Sequence, residues 1–314
     1  MIGRVTQQTI QRSTLTNLQR NLTSMATLQN RLSGNTMITK PSDDPAGTAS
    51  AIGLRAELRA NKQAARNIDD GNGWLTTVDE ALTGSLAALL KARDLTVQGS
   101  NSGALTDQAR SALATAVEGL RDTLLSQANA SYQGRKVFAG TTDAPKAVLV
   151  TAAIPATTLP LPGTPAIPAT YTSTSVATAR VERRVDANTM VRVDVDGAKA
   201  FGDGTASVFA TLDRIALALR TPGADVSTEL TALDAHRDAM LGELGGVGAR
   251  QGQVLAAETR ALDTKTTLTT QLSGIEDVDL ALTIVELQMQ EVAYQAALGA
   301  ASRVMQPTLL DFLR

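Results

Sequence analysis

Residues 273–299 read SGIEDVDLALTIVELQMQEVAYQAALG. Apolar or small residues recur there at steps of three and four: Ile275, Val278, Leu282, Val285, Met289, Val292, Ala296 and Gly299. That period describes a helix with one face built for a coiled-coil seam. A second stripe runs beside it through Ile284, Leu287, Tyr294 and Leu298, interrupted by Glu291. A two-helix seam needs only one stripe, so the other must meet another helix of the chain or a neighbouring molecule. Ser273 and Glu276 have capping-box spacing, which predicts that this helix starts at Ser273.

A matching stripe lies at the opposite end of the chain. Leu15, Leu18, Leu22, Met25 and Leu32 alternate steps of three and four, with Gln29 as the polar miss. The charges of the two ends are segregated. Arg4, Arg12, Arg20, Arg31 and Lys40 come before any acidic residue. The last segment carries Glu276, Asp277, Asp279, Glu286, Glu291 and Asp311 against Arg303 and Arg314. Coiled-coil partners often complement each other in this way. Two such ends, with little else to bury, are expected to be loose alone and ordered in an assembly.

Between the first helix and the next lies KPSDDPAGTA, residues 40–49. Gly34 and Asn35 suit a helix stop. Asp44 followed by Pro45 suits a helix start, because Asp caps well and Pro at the first position loses no needed hydrogen bond. The adjacent carboxylates of Asp43 and Asp44 thus read as a joint rather than an acid–base pair, and Pro41, Ser42, Asp43, Asp44 and Pro45 are its residues.

Helical patterning continues from the joint, and DDGNG at 69–73 predicts an interruption or bend. Leu75, Val78, Leu82, Leu86 and Leu89 mark one apolar face, and Leu113, Val117, Leu120 and Leu124 another, with GSNSGALTD as the loop between them. Residues 141–204 change texture. They are rich in Thr, Pro, Ala and Val and repeat AIPAT at 153–157 and 166–170. VRVDVDG at 191–197 alternates like a strand entering a hairpin turn. This segment reads as a small β-rich insertion with a Pro-rich arm. Helices resume with Leu212, Ile215 and Leu219. A long heptad run follows through Leu230, Leu233, Met240, Leu244, Val247, Val254, Ala261, Leu268 and Leu272. Glycines 242, 245, 246 and 248 predict a break in that run or close packing against a neighbouring backbone.

Composition narrows the function. The 314 residues are 43% hydrophobic but only 3% aromatic, with a formal charge of −2. No general attraction to nucleic acid or anionic membrane follows. There is no cysteine, which excludes disulfides and thiolate chemistry, and His236 is the single histidine. No nitrogen- or sulfur-rich metal site, phosphate loop or dinucleotide fingerprint can be assembled, and no cofactor is expected. No stretch approaches a membrane span. The opening residues lack a signal peptide's apolar core, so export, if it occurs, is expected without a cleaved leader.

The ends resemble the flagellin family. The residues that carry this are RLSGNTMITKPSDDPAGTA at 31–49 and ARNIDDGNGWLTTVDEALTGSLAALLKARDLTVQGSN at 65–101. ELGGVGARQ at 243–251 and the segment 273–314 add to them. The likeness covers both flanks and fails across 141–204. PSDDP at 41–45, VFAGT at 137–141 and TLLDFL at 308–313 favour the branch that joins hook to filament over the filament subunit.

The expected fold is mainly α. The paired N- and C-terminal segments, 1–42 with 273–314, form a long-helix coiled coil, and 43–140 with 205–272 form a helical-bundle middle domain. Residues 141–204 form the small variable β-rich insertion. The resemblance implies a non-enzymatic structural adaptor at the hook–filament junction, exported through the flagellar type III channel. Its implied partners are further copies of itself in a ring or tube, the neighbouring hook-associated protein, flagellin, and an export chaperone on the C-terminal helix. The assembly interface is expected at Leu15, Leu18, Leu22, Met25, Leu32, Ile275, Val278, Leu282, Val285, Met289, Val292 and Leu298. Rival readings are the filament subunit itself, an enzyme built on the insertion and an intracellular helical dimer.

Overall fold

The computed structural model describes residues 2–100, 105–153, 168–175, 180–221 and 224–304. Most of the chain is helix: α1 (Ile2–Gly34), α2 (Pro45–Ser100) and α3 (Asp107–Ala128) open it. The strands are β1 (Ser131–Tyr132), β2 (Arg135–Lys136), β3 (Val148–Thr151), β4 (Thr170–Ser173), β5 (Glu182–Arg184) and β6 (Met190–Arg192). They form three antiparallel pairs, β1–β2, β3–β4 and β5–β6. The short α4 (Gly197–Phe201), then α5 (Val208–Arg220), α6 (Ser227–Glu276) and α7 (Leu280–Val304) complete the chain. The fold is mainly α with a small β insertion, as the sequence predicts. Most of the Pro-rich arm and the TLLDFL ending lie outside the described residues.

The chain divides into two compact units, residues 1–60 with 263–314 and residues 61–262. The second holds nearly all of the core. Trp74, Leu75, Leu82 and Leu89 of α2, Val117 and Leu124 of α3, and Leu212, Ile215 and Leu219 of α5 are fully buried there. The long heptad of α6 is real, since Leu233, Met240, Val247 and Val254 are all buried. Aromatic residues are scarce but concentrated. Phe138 meets Phe201 edge-on at 5.0 Å, Phe201 stacks on Phe209 at 5.9 Å, and Tyr171 lies 5.2 Å from Phe209. Three of the chain's 4 phenylalanines thus anchor the insertion to α5. Arg110, nearly buried, caps the C-terminal end of α5 by donating to the carbonyls of Ala218, Leu219 and Thr221 at 3.0–3.2 Å.

Several local expectations are corrected. DDGNG does not interrupt α2, which runs unbroken through it. Each interior glycine costs about 1 kcal/mol in helix propensity. Packing offsets that: Ile68, Trp74 and Leu75 are buried around the segment, and Asp70 pairs with Arg183. A Cβ on Gly73 would fall 2.4 Å from the Tyr132 hydroxyl, so glycine is what lets Tyr132 close over the helix. The Asp-Gly pair in VRVDVDG is not a hairpin turn. The Asp196 side chain accepts from Ala198 N–H at 3.0 Å and caps α4, while the β5–β6 turn precedes the motif. Asp194, in the same motif, is a charged residue that the fold encloses. It is buried, accepting from Val181 N–H and from Arg192. Finally, α6 does not break at its glycines, and Cβ atoms at 242, 245 and 248 would meet nothing within 4 Å.

Candidate functional site: the outward faces of the end helices

The joint forms as its residues dictate. α1 stops at Gly34, and Asn35 takes the left-handed conformation, φ 49°, that ends many helices. The Asp43 carboxylate accepts from Thr39 N–H (3.3 Å), the Thr39 hydroxyl (2.7 Å) and Lys40 N–H (3.0 Å), which closes the turn. Those bonds, the Thr39 hydroxyl first, hold its pKa below the ordinary carboxylate range. Asp44 accepts from Gly47 N–H at 2.9 Å and caps α2, which begins at Pro45. Pro41 and Ser42 are exposed in the intervening turn. The two carboxylates serve separate backbone segments, as a joint requires and an acid–base pair does not.

Ser273 is not the start of the last helix. α6 runs on through Glu276, with Leu272 and Ile275 continuing its half-buried side, and the Ser273 hydroxyl bonds to Asp277 instead. The break falls after Asp277, and Asp279 caps α7 by accepting from Leu282 N–H at 3.1 Å. Break and joint are tied together. Thr36 and Asp277 form an antiparallel bridge, Met37 N–H donates to the Glu276 carbonyl at 2.6 Å, and Arg55 meets the Glu276 carboxylate at 2.8 Å.

From this clasp α1 and α7 run back along each other, antiparallel. The more covered face of α1 is Thr14, Leu18, Asn21, Met25, Leu28 and Leu32. On α7 it is Thr283, Leu287, Gln290, Tyr294, Ala297 and Ala301. Gln290 donates to the Asn21 carbonyl at 3.5 Å, a polar layer within the seam. Of the sequence-predicted interface, Leu18, Met25 and Leu32 lie on this seam, and Ile275 and Val278 are half-buried beside the clasp. Leu15, Leu22, Leu282, Val285, Met289, Val292 and Leu298 point to solvent, Met289 and Val292 with 67% and 66% of their surface free. The seam residues missed by the first stripe, Leu287 and Tyr294, belong to the second stripe of the sequence. Thr14, Asn21, Thr283 and Gln290 gave no apolar signal. Arg12, Arg20 and Arg31 pair with no α7 carboxylate, and the buried Arg31 Nε has no partner.

The perturbed titratable groups among the described residues have structural partners. His236 is half-buried against α5, its Nε2 3.3 Å from the Thr211 hydroxyl, and burial first, then Arg214, lowers its pKa. Tyr171 donates to Asp213 at 2.6 Å, and Asp213 also pairs with Arg121. Burial and that carboxylate raise the Tyr171 pKa. Each of these groups is satisfied by a structural partner. Among the described residues no cluster of His, Asp and Glu could hold a metal, and no helix is long and apolar enough to cross a membrane.

One unit of paired end helices with outward apolar stripes, and another that is a helical bundle with an inserted β segment, define a mainly helical protein. The model of the bacterial flagellin N-terminal helical region matches residues 5–143. Flagellar hook-associated protein 3 of Escherichia coli is 28% identical over 294 residues, covering 84% of each chain. Flagellin of Bacillus subtilis is 30% identical over 132 residues, covering 41% of this chain and 43% of its own. Among solved structures, a flagellar hook-associated protein of Vibrio parahaemolyticus shares the fold with a TM-score of 0.62. It is 20% identical and covers 75% of this chain and 100% of its own. The chain thus matches the flagellin N-terminal helical region over residues 5–143 and is similar over most of its length to a structural component of the flagellum.

Proposed function

We propose that this protein is the adaptor subunit of the bacterial flagellum at the hook–filament junction, outside the cell, required for filament growth and motility. One observation carries the reading: the likeness to flagellar hook-associated protein 3 covers 84% of the chain, whereas the likeness to flagellin covers 41%. The end helices support it, because their apolar stripes face outward, where lattice neighbours can cover them. Residues 1–42 with 273–314 are the terminal coiled-coil domain in the assembly. Residues 43–140 with 205–272 are the helical middle domain, and 141–204 form the variable insertion. The partners are further copies of the chain, a neighbouring hook-associated protein and flagellin. An export chaperone covers the α7 stripe before assembly.

Electron microscopy of cells lacking the protein tests this. Hooks without filaments, with flagellin shed into the medium, are expected; normal filaments would defeat the proposal. The filament-subunit reading draws on the flagellin match to the N-terminal region. It predicts that purified protein grows long filaments unaided.

A further inference from the structure

The end helices have two ways to face each other. In the register set by the Thr36–Asp277 bridge and the Gln290–Asn21 bond, Leu18 lies level with Tyr294 and Leu22 level with Met289. The seam in the structure uses the first facing and includes Thr14, Asn21, Thr283 and Gln290. The second facing keeps the register and turns α1 by about 90° and α7 by about 140°. It would bring Leu15 and Leu22 against Leu282, Val285, Met289 and Val292, all now exposed. The seam in the structure already covers Leu18, Met25, Leu28, Leu32, Leu287 and Tyr294, so burial of apolar area does not by itself choose between the two facings. Another element must choose the facing that the chain uses.

We infer that the clasp between Thr36–Met37 and Glu276–Asp277 fixes how α1 faces α7 and keeps the apolar stripes outward. The clasp is directional. A backbone bridge and the 2.6 Å bond from Met37 N–H to the Glu276 carbonyl hold only while the end of α1 faces the end of α6. Turning α1 by one residue would carry the Met37 N–H off its acceptor. Both sides are stiffened. The Asp43 carboxylate closes the turn behind Met37 with three bonds, and the Ser273–Asp277 hydrogen bond and the Arg55–Glu276 ion pair brace the other side. The ion pair is exposed on the Arg55 side and contributes little alone. The backbone contact sets the facing only while these side chains together hold both segments in place. Met37, Arg55, Glu276 and Asp277 are therefore positioning residues for the outward stripes.

The chain has 0 cysteines, so engineered pairs report the facing without background. Leu18→Cys with Tyr294→Cys reports the seam in the structure, and Leu22→Cys with Met289→Cys reports the turned one. Intramolecular disulfide formation is followed in dilute full-length protein by gel mobility. With the clasp intact, the first pair is expected to close at least about tenfold faster than the second, since closure needs Cβ atoms within about 4.5 Å. Met37→Pro removes the backbone donor, and Arg55→Ala with Asp277→Ala removes the braces by a milder route should the proline variant misfold. In either clasp variant with native helix content, the ratio is expected to fall to within about threefold or to invert. An unchanged ratio in the milder variant, or a second pair as fast as the first with the clasp intact, overturns the inference. The facing belongs to the isolated chain, so the crosslinks answer whether or not the protein joins a flagellum.

Discussion

The two compact units place their apolar side chains in opposite ways. The unit of residues 61–262 buries Trp74, Phe138, Phe201 and Phe209 with a continuous set of leucines and valines. In the unit formed by 1–60 and 263–314, the buried apolar residues among those described are Ala51, Leu268 and Ala301. Its large apolar residues, from Leu15 and Leu22 to Leu282, Met289 and Val292, are exposed instead. Comparable hydrophobicity thus has different consequences. One unit can supply its own stability, whereas the other keeps an unspent driving force on its surface.

The sharpest way to break that contrast is to remove the ends. Deleting residues 1–40 or 275–314 is expected to abolish flagellar assembly completely, as read by motility and electron microscopy. The remaining chain should stay soluble and helical with a cooperative melt. Loss of that melt would show that the inner unit depends on its ends.

Point substitutions should separate the units next. Phe209→Ala is expected to cost about 3–5 kcal/mol in denaturant unfolding, the range for buried aromatic truncation. Met289→Ala should change monomer stability by less than about 0.5 kcal/mol, as at exposed sites generally, yet impair assembly. Equal stability losses at both positions would erase the distinction.

Glycine positions sharpen it further. Gly245→Ala should stabilise α6 by about 1 kcal/mol or less, because a Cβ there meets nothing. Gly73→Ala should destabilise, because its Cβ would strike the Tyr132 hydroxyl. Thermal melts of the two variants should shift in opposite directions.

The smallest effect concerns pH. His236 has its folded pKa lowered from 6.5, so the unfolded chain takes up a proton first as the solution is acidified. Stability is therefore full above about pH 6.5 and declines as pH falls through the window down to the folded pKa. His236→Gln should flatten that decline in melts taken between about pH 5 and 7, above the range where carboxylates titrate. An unchanged slope would assign it to other groups.

Much of this was legible in the residues themselves. The joint at Asp43–Pro45, the Gly34–Asn35 stop, the α5 and α6 apolar faces and the mainly helical fold follow from local rules of capping, conformation and period. The errors share a cause. DDGNG looked like a break and SGIE like a cap because each was judged by propensity alone. Contacts from Tyr132, Arg183 and the continuing α6 heptad outweighed those local preferences. The Asp-Gly of VRVDVDG was ambiguous for the same reason, since one dipeptide can close a hairpin or cap a helix, and burial of Phe201 decided for the cap.

The sequence by itself determined that both ends are amphipathic helices, that two apolar stripes run along the last one, and that one histidine and no cysteine are available for chemistry. Periodicity and residue chemistry are local properties, readable without a partner. Only the tertiary structure decided which stripe turns inward. Hydrophobic pattern leaves that choice open, since both faces offer leucines to a partner, and in our inference the clasp between Thr36–Met37 and Glu276–Asp277, residues far apart in the chain, makes it.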